Sequence, residues 1–476
     1  MEKPTQRLLN FAMQTSFEDL PEQVVQAAKL AALDTIGISL AALQSEKGRL
    51  GLAMANRFGG PPESGILGTG QRVSCGAAAF ANGELANALD WDAYQGTTHA
   101  LAVVIPALLP LAEMAGASGK DLVLATALGL EISSRLGRSI RGHKLVFDTA
   151  EGSEVGKIPG TKYSVTAVGC AVIAAAAGAG RMLKLDREKI SHAVGLAGHF
   201  SPIPMTKWKY EPVGPMTKYM CSGWASIAVT TAVQLADMGY TGDKTVLDGE
   251  IGYWRYFGSD RWDPDTTLGK LGRDWVFPAE VEYKRYPCCA VYTVFLDCFA
   301  RIIDDNRLLP HEIEKIRIQS GPWASPPPLS GKVESHIQAQ FHPMYLLACI
   351  AHRISRSSWQ DEDSIRDPEI EKFMERVPLL VEDHPDSQNL RLVEPRSNMT
   401  VVEVVARGKT FKQDGKYHKF ASDAESSILT AEDLIEQFAL NASKILPEEK
   451  VGRAIEYLMG LEKVQSVAEV IREVTL

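Results

Sequence analysis

The sequence predicts a mainly α protein, a large all-helical domain interrupted by a smaller α+β domain. Three observations predict it. Apolar residues recur at helical spacing from Leu20 to Met238, with no alternating run of any length between them. Beyond Lys270 the pattern changes: Ile313 to Ile318 (IEKIRI) and Met399 to Val405 alternate as strands do. Helical spacing then returns at Thr430. The boundaries that follow are residues 1–272 plus 428–476 for the helical domain and 273–427 for the α+β domain. A chain of 476 residues is long enough to require more than one core.

Each element has a local reason. Leu20-Pro21-Glu22 puts proline and an acid at a first turn, and Val24, Ala28, Leu33 and Ile36 continue one face. A Gly/Pro-rich connection (Gly59 to Gly70) leads to a small-residue helix, Ala77 to Ala88. A Pro-punctuated apolar segment (Ala100 to Ala112) and a helix over Asp121 to Gly137 follow. Periodicity fails from Ile140 to Thr161, a polar, Gly-spaced stretch long enough to be a functional loop. Helices resume over Ser164–Met182 and Arg187–Ala197, the latter behind a capping Asp186. The stretch His199 to Met220 is dense in Pro, Lys and aromatics, and a small-residue helix (Cys221 to Met238) follows it. Val281 to Pro287 reads as extended, Val291 to Ile303 as a helix, and Met399 to Val405 with Gly408 and Thr410 to Lys412 as a hairpin. Thr430 to Phe438, Glu448 to Leu461 and Val467 to Val474 close the chain as helices.

Composition narrows the function classes. Hydrophobic residues make up 45% and charged residues 23%, an ordinary globular balance. A net charge of −9 argues against nucleic acid as a partner. The start lacks the features of a signal peptide, and Val165 to Gly180 is too short and too rich in Ala and Gly for a span, so no membrane partner is expected. Seven cysteines form no CxxC pair, which fits a reduced, cytoplasmic compartment and neither a metal knot nor an iron–sulfur cluster. No HExxH, Walker loop or dinucleotide fingerprint is present, so no cofactor and no metal are expected.

The chemistry concentrates between Asn82 and His99 (NGELANALDWDAYQGTTH). The small-residue helix runs into Asp90 and Asp92, and a short polar loop ends at His99. Two acids and an imidazole at the end of a rigid element suit acid/base work, although helix-end acids also serve as caps. Lys218 stands where the next small-residue helix begins, so its ammonium can face whatever cleft that helix end borders.

The order of six stretches resembles the MmgE/PrpD family, which includes 2-methylcitrate dehydratase, cis-aconitate decarboxylase and iminodisuccinate epimerase. They are Leu20 to Gly37, Asn87 to Glu113, Ser118 to Gly137, Met216 to Ser226 (MTKYMCSGWAS), Tyr283 to Ala290 (YKRYPCCA) and Glu436 to Leu446. The resemblance implies that the α+β domain is a lid over the helical domain, with the site between them, in a homodimer. It matches the family's site acids to Asp90 and Asp92, its histidine to His99, its helix-start lysine to Lys218, and a second lysine to Lys284. The chain departs from the pattern at Ala93 and near Gln95, where a further acid and often a histidine stand. It departs again near Gly160 to Tyr163, where Lys162 or Tyr163 replaces a histidine, and near Trp323, where a hydroxyl-bearing aromatic is expected.

Family substrates are di- and tricarboxylates. Lys218, Lys284 and Arg285, with Lys207 and Lys209, form the cationic set expected to hold them and to stabilise charge when a proton leaves the adjacent carbon. Asp90, His99 or Tyr163 can serve as base. The expectation is a cofactor-independent lyase, of dehydratase or decarboxylase type and not an ordinary methylcitrate dehydratase. An epimerase and a non-catalytic carboxylate binder are the alternatives. Asp90 and His99 are expected to share one proton-transfer unit, with Lys218 and Lys284 binding carboxylates from opposite sides of the cleft.

Overall fold

The computed structural model describes residues 2–96, 98–140, 168–202, 215–218, 220–257, 262–321, 331–386, 397–418 and 429–476. Most of them are helical, with strands confined to short pairings and one small sheet. One buried core runs from Leu8 to Phe277 and takes in Leu429 to Val474. A second gathers residues from Tyr286 to Ala406. The closing helices, Ala431–Ala442, Glu448–Met459 and Val467–Glu473, thus belong to the first core.

The helix Glu22–Ala41 is buried along almost its whole length. A Cβ on Gly37 would lie 2.9 Å from Phe438, so glycine there lets Ala431–Ala442 pack directly against it. Its extension, Glu22–Gln44, is long and apolar enough to cross a membrane, but 83% of its most apolar window is buried inside the protein. The Pro-punctuated segment is a continuous helix, Leu101–Ala115, with Pro106 and Pro110 inside it. Each proline removes one ladder bond, and burial of every residue from Leu101 to Glu113 outweighs that loss. Capping boxes at Ser118/Asp121 and Thr430/Asp433 start two of the expected helices.

Helices Cys75–Ala88 and Ser222–Asp237 cross so closely that a Cβ on Gly83 would meet Ser222 O at 2.8 Å, and one on Gly223 would meet Phe80 O at 2.5 Å. That crossing sets the end of the first helix beside the start of the second.

The second core lies beneath a four-stranded sheet with helix Thr293–Asp305 packed against it. Strand Ile313–Ser320 pairs in parallel with Leu379–Asp383 and antiparallel with Ser397–Ala406, which pairs with Lys409–His418. Arg407 and Gly408 both have positive φ (52° and 66°), as a two-residue hairpin turn requires.

Candidate active site

Helix Cys75–Ala88 ends at a cap, Leu89, and the next residue, Asp90, takes a left-handed backbone with φ 53°. Glycine usually fills that position because a side chain there is strained by about 1–2 kcal/mol. Lys218 is strained in the same way, with φ 42°. Two left-handed residues in one buried cluster are a mark of a functional site.

The last carbonyls of this helix have no partners within it. Four side chains from remote parts of the chain supply them. Lys218 Nζ donates to Asn87 O (3.0 Å), Gln340 Nε2 to Ala88 O (2.8 Å), Gln360 Nε2 to Leu89 O (2.7 Å) and Lys284 Nζ to Asp90 O (2.6 Å). Two ammonium groups at the negative end of a helix dipole are favourably placed. Lys218 also donates to Gln340 Oε1 (2.7 Å) and Lys284 to Asp90 Oδ1 (2.9 Å).

Asp92 accepts from two directions. Its Oδ2 lies 2.7 Å from His99 Nδ1, and its Oδ1 accepts from Asn87 Nδ2 at 3.0 Å. Asn87 Oδ1 in turn accepts from Lys47 Nζ (3.3 Å), which pairs with Glu84 at 3.4 Å. The ring of Tyr94 meets the His99 ring edge-on at 5.2 Å. Tyr94 and Gln95 pair antiparallel with Val281 and Glu282, and Trp91 Nε1 donates to Lys284 O at 2.8 Å. These contacts fasten the segment carrying Lys284 to the loop carrying the acids.

Asp90, Asp92, His99, Lys218 and Lys284 are all buried, at 0%, 0%, 3%, 1% and 3% exposure. Burial alone raises the Asp90 carboxyl, but Lys284 and then Lys218 outweigh it and hold the group below its ordinary range. Burial is likewise the largest influence on Asp92, yet the His99 charge and hydrogen bond and the two lysines bring it down to about 2. Burial lowers Lys218 to about 7, with Asp90 opposing it. Lys284 is pushed the other way: burial lowers it, and Asp90 and Asp92 together raise it above the usual lysine value. One lysine is therefore permanently charged and the other sits near neutrality. Asp90, Asp92 and His99 also present oxygen and nitrogen atoms within 4.8 Å of one another, a spacing that suits a cation, but the Lys284 ammonium already bonds Asp90.

The structure thus brings together Asp90, Asp92, His99, Lys218 and Lys284 from the expected set. It bonds the imidazole to Asp92 and the Lys284 ammonium to Asp90, where the sequence reading paired the imidazole with Asp90. Arg285 departs from expectation: the expected extended stretch is strand only over Val281–Glu282, Arg285 lies in a bend beyond it, and its guanidinium lies against Asp297 (3.6 Å) and Asp433 (3.9 Å). Ala93 is packed in the first core, and Gln95 Nε2 donates to Leu130 O at 3.2 Å. Lys162, Tyr163, Lys207, Lys209 and Trp323 lie outside the described residues. Sequence reasoning missed Lys47, Asn87, Gln340 and Gln360. Only Asn87 stood in a stretch that drew attention.

Comparison with known proteins gives matches along most of the chain. Residues 6–265 match the MmgE/PrpD N-terminal domain and residues 286–463 the MmgE/PrpD C-terminal domain. The chain is 26% identical over 466 residues to cis-aconitate decarboxylase of Homo sapiens, covering 94% of this chain and 89% of that protein. It is 23% identical over 476 residues to the Mus musculus cis-aconitate decarboxylase, covering 95% and 89%. Against the cis-aconitate decarboxylase of Aspergillus terreus it is 25% identical over 300 residues, covering 60% of this chain and 57% of that one.

Proposed function

The chain belongs to the MmgE/PrpD family, and from that premise we propose that it is a lyase of the decarboxylase type acting on a small di- or tricarboxylate. The observation that carries the reading is the 2.7 Å bond between Asp92 and His99, set beside two buried lysines. An Asp92 held as a carboxylate accepts Nδ1–H, so Nε2 becomes the nitrogen that exchanges a proton with substrate carbon. Among the described residues each lysine spends two of its three N–H donors on the bonds above, which leaves one for a substrate carboxylate.

In the decarboxylase reaction the bond from carbon to the departing carboxylate breaks and CO2 leaves. The electron pair moves toward a carboxylate held by the lysines, and a proton from His99 ends on carbon. In the dehydratase variant His99 takes the proton beside the carboxylate and gives it to the departing hydroxyl, which leaves as water. Either way the lysines stabilise the charge that develops on the substrate, in a site where burial strengthens them. The reaction so drawn uses side chains alone and no cofactor. Because the five groups are buried, substrate reaches them only by displacing what covers them.

A second reading, epimerisation, draws on Lys218: burial brings its ammonium to about 7, so it can give up and take back a proton beside His99 and Asp92. Incubating the protein with cis-aconitate, citrate, 2-methylcitrate and iminodisuccinate in deuterated water separates the readings. Release of CO2 from cis-aconitate with deuterium in the product supports the decarboxylase. Exchange without loss of CO2 or water identifies an epimerase. Neither exchange nor product from any of the four contradicts both.

Assembly and compartment follow as further parts of the proposal. Leu50, Met54 and Phe58, spaced four apart on helix Glu46–Phe58, are exposed, as is Trp224 on helix Ser222–Asp237. Both helices flank Cys75–Ala88, where Gly51 and Gly223 each approach Glu84, and this apolar surface suits a homodimer. Sedimentation of a monomer at micromolar concentration would contradict it. All seven cysteines are free thiols, which fits a reducing, cytoplasmic setting.

A further inference from the structure

His336 opens the short helix His336–Ala339, and Gln340, which holds Lys218, follows four residues later. Side chains four apart leave the same face of a helix, so the imidazole shares the side from which Gln340 reaches Lys218. His336 is 5% exposed, and its Nε2 has no hydrogen-bond partner among the described residues. Its Nδ1 lies 3.9 Å from Glu46 Oε2, too far for a hydrogen bond, so Glu46 does not fix the ring proton on that nitrogen. Glu46 begins the helix that carries Lys47. Lys47 reaches Asn87 Oδ1, and Lys218 reaches Asn87 O, so both ammonium groups border one residue of the site. Burial, then Lys218 and Lys47, keep the imidazole neutral by lowering it to about 3.

A buried imidazole nitrogen left unbonded is unfavourable, and most buried polar groups in native structures have a partner. Here the partner must be compatible with two ammonium groups and with a ring N–H that can donate. A carboxylate satisfies both.

We propose that His336 is a substrate-specificity residue: its Nε2–H, with Lys47, receives a carboxylate of the substrate remote from the reacting carbon. The inference rests on the carboxylate-lyase reading and narrows its substrate class to tricarboxylates. A dicarboxylate fills only the positions at Lys284 and Lys218 and leaves Nε2 unbonded.

The test is binding of unreactive analogues, which does not depend on turnover. Propane-1,2,3-tricarboxylate and the dicarboxylate glutarate are titrated calorimetrically into wild type, His336→Ala and His336→Gln, with thermal melting to confirm folding. Wild type should prefer the tricarboxylate. His336→Ala should weaken the tricarboxylate roughly tenfold or more while leaving glutarate within about twofold. His336→Gln, whose amide can place an N–H near the position of Nε2, should recover most of the loss. Equal weakening of both ligands, or no weakening of the tricarboxylate in a folded His336→Ala, overturns the inference while leaving the lyase reading intact. If wild type binds neither ligand, the inference falls. The turnover panel described above then decides separately whether the lyase reading falls with it.

Discussion

Lys218 gives the sharpest pH prediction. Its ammonium is bonded to Asn87 O and Gln340 Oε1 and is lowered from 10.5 to about 7, chiefly by burial. If the charged form holds the substrate carboxylate, kcat/KM must fall as pH rises through about 7. A single ionisation then lowers kcat/KM roughly 50-fold between pH 7 and pH 9. Arginine stays charged across that range, so Lys218→Arg should show a flat profile there at lower absolute activity. Lys218→Met should lose a charge-assisted contact worth on the order of 1.5–3 kcal/mol, about 10- to 150-fold in kcat/KM at pH 6. Stability carries the same signature with the opposite slope. The folded chain releases this proton near pH 7, whereas an unfolded lysine keeps it to about 10.5. The protein therefore gains stability from pH 7 toward 10.5 and loses it as pH falls through 7, by at most on the order of 5 kcal/mol. Lys218→Met should flatten that rise in urea midpoints. A wild-type rate profile that stays flat from pH 6 to 9 would refute the reasoning, as would the same falling limb persisting in Lys218→Arg.

Two other substitutions probe the groups around it. Asp92→Asn keeps the shape but offers His99 Nδ1 an amide in place of a carboxylate, and kcat should fall roughly 10²–10⁴-fold with KM little changed. A kcat within threefold of wild type would remove Asp92 from the proton-transfer unit. Asp34, buried and bonded to Gln437 at 3.3 Å, is raised well above 3.8, first by burial and then by the Asp92 charge. Its contribution to stability is present below about pH 4 and is lost as pH rises toward the folded value, because the unfolded chain gives up the proton first. Asp34→Asn escapes that loss, so its melting temperature relative to wild type should climb from pH 4 to 7. A relative melting temperature that drops over that range would count against a protonated Asp34.

Much of the fold was legible because its signals are local. Ser118 with Asp121 and Thr430 with Asp433 mark helix starts within three residues, and Gly408 marks the hairpin turn. The parallel strand Leu379–Asp383 was not legible. Its five residues, LLVED, are only half-buried and carry no clear alternation. Nor was the pairing of Tyr94–Gln95 with Val281–Glu282, since two residues have no period to read. At the site, position in the chain pointed to Asp90, Asp92, His99 and Lys218, but the division of partners between the two acids did not follow from it. The left-handed backbone at Asp90 turns that residue toward Lys284 and leaves His99 to Asp92. Gln340 and Gln360 cap carbonyls about 250 and 270 positions earlier in the chain, and no spacing rule reaches so far.

The central claim is that an imidazole held by Asp92 moves the proton in a lyase reaction beside two lysines. Comparing wild type with His99→Asn on cis-aconitate in deuterated water tests it most directly, with CO2 release and product deuterium followed together. The account predicts that wild type releases one CO2 for each deuterium placed on carbon. It predicts a fall of roughly 10²–10⁴-fold in both signals for a folded His99→Asn protein. Undiminished CO2 release and deuterium incorporation in that variant would contradict it.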